Sequence, residues 1–108
     1  MKTSSTYTLA NFRSLPAISK EELATIQFEN TDVLSRPEDI RVRRTNLDKA
    51  ISLGRSEKVK TSIILKSGEH LYRLETNILS IQSDFTLTSN GLQIPLRCIY
   101  SVDFIFTS

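Results

Sequence analysis

The chain has 108 residues, room for one domain with a core of modest size. Leu, Ile, Val and Phe supply 33 of them, well above the one-fifth level below which chains rarely fold, so a wholly disordered chain is excluded. The net charge is only +2, the single cysteine cannot close an internal disulfide, and no stretch approaches the length of a membrane span, so a cytoplasmic protein is expected.

Charge is unevenly placed. Residues 41 to 60, RVRRTNLDKAISLGRSEKVK, carry seven of the fourteen basic residues beside only Asp48 and Glu57. Such a run is either a polyanion surface or the solvated side of ordinary elements. Apolar residues crowd instead into residues 59 to 106, which hold 19 of the 33 and are expected to build most of the core.

In chain order, residues 1 to 34 read as an arm containing one short helix. Ser19 and Glu22 in SKEEL form a capping box ahead of Leu23 and Ile26. A second capping box, SRPE, places Ser35 as the N-cap of a helix over 35–54. Ile40, Leu47 and Ile51 are its apolar stripe, and Gly54 its left-handed end. Arg43 and Arg44 bracket that stripe, so their stems can lie along the core edge while the heads reach water or an acid. Arg41 and Lys49 fall further round the helix, and Val42 and Leu53 fall opposite the stripe.

From residue 58 to 107 the period is two, the mark of strands. Val59, Thr61, Ile63 and Leu65 share the inward face of the first strand, with Lys58, Lys60, Ser62, Ile64 and Lys66 outward. A turn at Ser67-Gly68 leads to HLYRLETNILSIQ, whose inward set, Tyr72, Leu74, Thr76 and Ile78, changes parity at Leu79 and Ile81. A bulge or sharp bend is therefore expected near 77–79. In FTLTSNGLQIPL, Asn90-Gly91 predicts a type I′ hairpin pairing Leu87 with Ile94 and Phe85 with Leu96, all four inward. Pro95 marks an edge or a strand end. A single turn at 97–100 precedes SVDFIF, with Val102, Phe104 and Phe106 inward.

Helix, long strand, bent strand, Asn-Gly hairpin, single turn and short last strand, over residues 36–106, resemble the SH3-like and Sm-like small barrels. LQIPLRCIYSVDF is also similar to the endings of small uncharacterised bacterial proteins. The resemblance implies an α+β fold in which one or two helices cap a strongly bent five-stranded antiparallel sheet or small barrel. For Sm-like chains it also implies RNA binding by a ring of subunits. Arg73 and Leu74 stand where such chains carry a bending glycine, and no nucleotide-contact residue is carried over.

No pattern for a metal or cofactor is present: His70 is the only histidine and Cys98 the only cysteine, and all three glycines have a structural place. The expected function is a non-enzymatic binding protein, its partner another protein or a second copy of the chain, with Val42, Leu53, Ile64 and Ile105 as exposed apolar positions. The alternative is RNA or single-stranded DNA binding through Arg41, Arg43, Arg44, Arg55, Lys58 and Lys60. A second alternative is a small hydrolase using Cys98, with His70 as its base.

Overall fold

A computed structural model of the chain describes residues 15–55 and 58–106. Two helices, α1 (Lys20–Leu23) and α2 (Pro37–Leu53), precede six strands: β1 (Val59–Ser67), β2 (His70–Thr76), β3 (Ile78–Ile81), β4 (Phe85–Thr88), β5 (Gln93–Pro95) and β6 (Ile99–Phe106). One 3₁₀ turn, Leu96–Cys98, separates β5 from β6. The fold is α+β, with one main helix and two small antiparallel sheets, ordered β2-β1-β6 and β3-β4-β5.

The expected five-stranded sheet or closed barrel does not form among the described residues. The second long strand is interrupted at Asn77, which turns its backbone carbonyl to the N–H of Ser89 and its side-chain amide to the carbonyl of Val59. Before that residue the strand pairs with β1, and after it with β4. On the far side β5 is three residues long and ends at Pro95, which has no N–H to offer a further strand. The 3₁₀ turn then carries the chain across to β6 without a ladder between them.

The predicted bulge is present. Ile78 pairs with Thr88 and Ser80 with Leu87, leaving Leu79 as the extra residue, 55% exposed. This one insertion lets Ile78 and Ile81 both face inward, which explains the parity change in the sequence.

The Asn-Gly hairpin has a different register from the expected one. Thr86 pairs with Ile94, Leu87 with Gln93 and Phe85 with Pro95, one residue off the two-residue-loop pattern. No residue other than glycine has positive φ among the described residues, so a type I′ turn, which needs it at Asn90, is absent. A turn closed by the Gly91 N–H on the Thr88 carbonyl, with Gly91 alone left-handed at φ +80°, makes a three-residue loop instead.

Since a one-residue slip exchanges faces, Thr86 and Thr88 become fully buried while Phe85 and Leu87 are half-buried. The threonines are tolerated because their hydroxyls are bonded. Thr86 donates to the Ile94 carbonyl, Thr88 accepts the Leu92 N–H at 3.1 Å, and Thr76 donates to Asn90 Oδ1 at 3.0 Å. Between β1 and β2, by contrast, a tight two-residue loop forms with Gly68 at φ +60° in its first position, the place a type II′ turn reserves for glycine.

At the helices, the Ser19–Glu22 capping box forms as read, with both reciprocal bonds in place. The second does not. Arg36 is the N-cap of α2 and Pro37 opens the helix, where its fixed φ suits the first turn and its missing N–H costs nothing. Gly54 is not left-handed either: it continues the helix at φ −66°, its N–H on the Ala50 carbonyl.

The buried face of α2 is Arg43, Leu47 and Ala50, rotated from the expected stripe so that Ile40 and Ile51 are only half-buried. This face packs on β6, β3 and β1. The core joins Leu47 and Ala50 to Ile63 and Leu65 of β1, Leu74, Ile78, Ile94, Cys98, Ile99 and Val102, with Leu23 of α1 closing one side.

Two further expectations change. Ile64 is buried, 2% exposed, because β1 is the middle strand and places Ile64 between Arg73 and Ser101. Phe106, expected inward, is 69% exposed: it lies one pleat beyond Phe104, which Lys49 of α2 covers.

Thr88→Val should lower stability by about 1–3 kcal/mol in chemical denaturation, since the Leu92 N–H loses its acceptor. Gly91→Ala should cost about 1–2 kcal/mol through its left-handed φ, and exposed Ser89→Ala less than about 0.5. An unchanged Thr88→Val midpoint would contradict this register.

Candidate functional site

The basic segment that stands out in the sequence is divided by the fold into three groups. Arg43 is alone in the interior. Its side chain is 7% exposed and meets Asp32 of the arm in a two-pronged ion pair, Nη1 to Oδ1 at 2.8 Å and Nη2 to Oδ2 at 2.7 Å. Nη1 also donates to the Ile99 carbonyl at 3.0 Å, where β6 begins. Planarity and a forked donor set let one guanidinium hold arm, helix and strand together. Arg43 is therefore committed to structure and presents no charge to a partner.

Asp32 is itself prepared for this contact. Its carboxylate accepts the Leu34 N–H at 2.8 Å, forming a local turn ahead of α2. Burial alone would raise the Asp32 pKa. The hydrogen bond from Arg43, the Leu34 N–H and the Arg43 charge together outweigh it and hold the carboxyl below its ordinary range. Two more bonds fasten the same stretch, Val33 N–H to the Arg97 carbonyl and Arg97 Nε to the Glu29 carbonyl. A partial signal for this is local: an arginine beside an apolar stripe needs an acid, and Asp32 stands in a short turn-forming stretch of the arm.

Arg41 and Arg44 form the second group, both exposed on the first half of α2, with Arg44 Nε 3.3 Å from Asp48 Oδ1 one turn on. Surface pairs of this kind contribute little to stability.

The third group gathers at one corner of the molecule. Arg55 follows α2, and Lys58 and Lys60 flank Val59 at the start of β1; all three are exposed. Val59 pairs with Phe106 and Lys60 with Ile105, so the start of β1 lies against the end of β6. The Asn77 amide, bonded to the Val59 carbonyl, lies 3.4 Å from where a Cβ on Gly54 would sit, which brings the end of α2 to the same place. From the helix Lys49 Nζ stands 5.6 Å over the Phe104 ring, a cation–π distance. At this corner Lys49 and the exposed ring of Phe106 lie on the helix-covered face of the sheet, while Lys58 and Lys60, each one residue from Val59, alternate to its outer face. Lys49 and Phe106 are the corner's two members that sequence periodicity misplaced.

Of the four apolar positions expected at the surface, Val42 is 57% exposed, Leu53 and Ile105 are half-buried, and Ile64 is buried. They form no common patch. An open groove of 440 Å³ does run across the outer face of the β2-β1-β6 sheet, lined by Ser62, Arg73, Glu75, Asp103 and residues 104 to 106. Arg73 is fixed at its edge by bonds to Glu75 and to the Leu15 carbonyl.

Cys98 is 1% exposed and its thiol donates to the Pro95 carbonyl. Burial pushes its pKa up to about 12, outweighing the opposing influence of Arg97, so the nucleophilic thiolate is suppressed. His70 opens β2 at the surface, its ring 6.5 Å from that of Tyr72. Among the described residues no three His, Cys, Asp or Glu side chains come together as a metal site. No helix of the described residues is long and apolar enough to cross a membrane.

Asp32→Ala should cost about 2–4 kcal/mol, because it leaves a buried guanidinium without its acid, whereas Asp48→Ala should cost less than about 1. Urea midpoints of the two variants separate these cases. Since the folded pKa of Asp32 is depressed, its contribution is complete above the ordinary carboxylate range. It should fade as pH falls through the lower folded value, and Asp32→Asn should flatten the stability–pH curve there.

Compared with known proteins, the chain matches no family model, no curated protein and no solved structure.

Proposed function

We propose that the chain is a non-catalytic binding module that engages another macromolecule, or a second copy of itself, through the corner where α2 ends, β1 begins and β6 ends. The observation that carries this reading is the exposure of Phe106, 69%, one pleat beyond the Phe104 ring that Lys49 covers. A large ring left in water at the meeting point of three elements costs hydration free energy that a partner recovers on covering it. The suppressed thiol of Cys98 supports a non-enzymatic role, because the residue proposed as nucleophile is buried and protonated.

The reading places the chain in the cytoplasm and treats its two sheets as an open relative of the SH3-like and Sm-like barrels. The break at Asn77 and the single turn before the last strand support that kinship.

A photo-crosslinking residue installed at position 106 should capture a macromolecule in cells, while the same residue at Leu79, a similarly exposed site on the other sheet, should give only background. Equal yields at the two positions would remove the corner from consideration. Sedimentation velocity over a wide concentration range separates a second copy of the chain from other partners.

A further inference from the structure

We propose that β6 pairs with the β6 of a second copy, antiparallel and about a two-fold axis at Phe104, so that the β2-β1-β6 sheets of two chains become one. The inference rests on the binding-module reading and names the partner of that surface as the chain itself. Backbone geometry sets the phase of the pairing. Ser67 and His70 close the two-residue loop between β1 and β2, and in such a loop the closing pair exchanges both of its backbone hydrogen bonds. Bonding direction alternates along a strand, so Thr61, Ile63 and Leu65 also turn their N–H and C=O groups to β2, while Lys60, Ser62 and Ile64 turn theirs to β6. The Val59 carbonyl, held by the Asn77 amide on the β2 side, agrees with this phase. Ile105, Asp103 and Ser101 answer Lys60, Ser62 and Ile64. Val102, Phe104 and Phe106 therefore aim their backbone groups past the edge of the sheet, where no described strand lies.

Such an edge accepts an extended backbone. In one register, with Phe104 opposite Phe104 of the second copy and Val102 opposite Phe106, all three edge-facing residues pair among themselves. A shift of two residues moves one of them opposite the bulge at Tyr100 or beyond Phe106. The same register matches the side chains. Val102 lines an open groove of 260 Å³ between α2 and the root of β6, together with Leu34, Val42, Asn46 and Tyr100. Phe106 of the second copy, opposite Val102 and on the same face, comes to this groove. The large apolar side chains most exposed among the described residues are Phe106 at 69%, Val42 at 57% and Leu79 at 55%, and the contact covers the first two, at both ends by symmetry. A foreign strand could satisfy the edge, but a second copy brings a ring to the groove and a groove to the ring at the spacing that β6 itself sets. The two Lys49 side chains flank the axis on that face, each over its own Phe104, and their repulsion limits the strength of the pairing. A two-fold pairing also uses the edge once and closes it.

Sedimentation equilibrium on the full chain, from about 1 to about 500 µM, should show monomer and dimer and no larger species, as a small interface predicts. Phe106→Lys and Val42→Glu, both at exposed positions, should each weaken the dimer about tenfold or more. An equimolar mixture of these two variants should recover it as a mixed dimer, because the opposite charges meet across one contact while the other keeps its native ring and valine. Leu79→Glu, on the other sheet, should change nothing. Amide hydrogens of Val102 and Phe104 should exchange at least about tenfold more slowly at the highest concentration than at the lowest. Thermal melts of each variant establish that it is folded.

A strict monomer throughout, a dimer that survives both Phe106→Lys and Val42→Glu, or a mixture that stays monomeric would each overturn the proposal. If the chain is monomeric while a crosslinker at position 106 captures a different macromolecule in cells, the partner is wrong and the binding corner stands; if capture gives only background too, both readings fall.

Discussion

The arrangement of this molecule depends on one buried guanidinium. Arg43 projects from the packed face of α2 and is met there by Asp32, from the arm, and by the carbonyl of Ile99, at the root of β6. Three segments distant in sequence therefore share one point of fixation. An arginine in the interior needs all its donors answered, and the geometry that answers them also decides how far α2 rolls about its own axis. That roll places Leu47 and Ala50 on the core and leaves Ile40 and Ile51 at its margins. It also turns Lys49 toward Phe104 and Val42 toward water.

The sequence made the local elements legible because each rests on neighbouring residues. The capping box of α1 and the bulge at Leu79 are both short-range consequences of residue type, whereas the expected alternation of β1 gives way to burial of Ser62 and Ile64 on both faces of this middle strand. Errors arose where a distant partner set the outcome. Hydrophobic periodicity counts arginine as solvent-facing, so it could not centre α2 on Arg43 without knowing of Asp32. Pattern matching likewise prefers to bury Phe85 and Leu87, yet the hairpin buries Thr86 and Thr88, whose hydroxyls find acceptors only once Asn90, Ile94 and Leu92 are in place.

The candidate site shows the same division. Arg55, Lys58 and Lys60 stand close together in sequence and remain close in space, so their grouping was legible. Arg41, Arg43 and Arg44 are equally close in sequence but were scattered by helical geometry and by the ion pair. Lys49 and Phe106 entered the site through contacts between α2, β1 and β6, which no local pattern encodes. A run of basic residues thus describes composition, and only the packing of α2 against β6 decides which charges act as a group.

The brevity of β5 has a bearing on how the molecule meets other chains. The second sheet ends on one side in three residues closed by a proline and on the other in a four-residue strand broken by a bulge, so neither rim offers a run of free backbone groups. The rim of the first sheet along β2 is engaged by the arm at Arg73, and the root of β6 by Arg43. Among the described residues, the distal length of β6 leading to Phe106 remains open. A strand from a misfolded neighbour or a swapped copy that adds there lies one strand across from Lys58 and Lys60, whose stacking in register from copy to copy would repel and make that margin a poor template for fibrous growth.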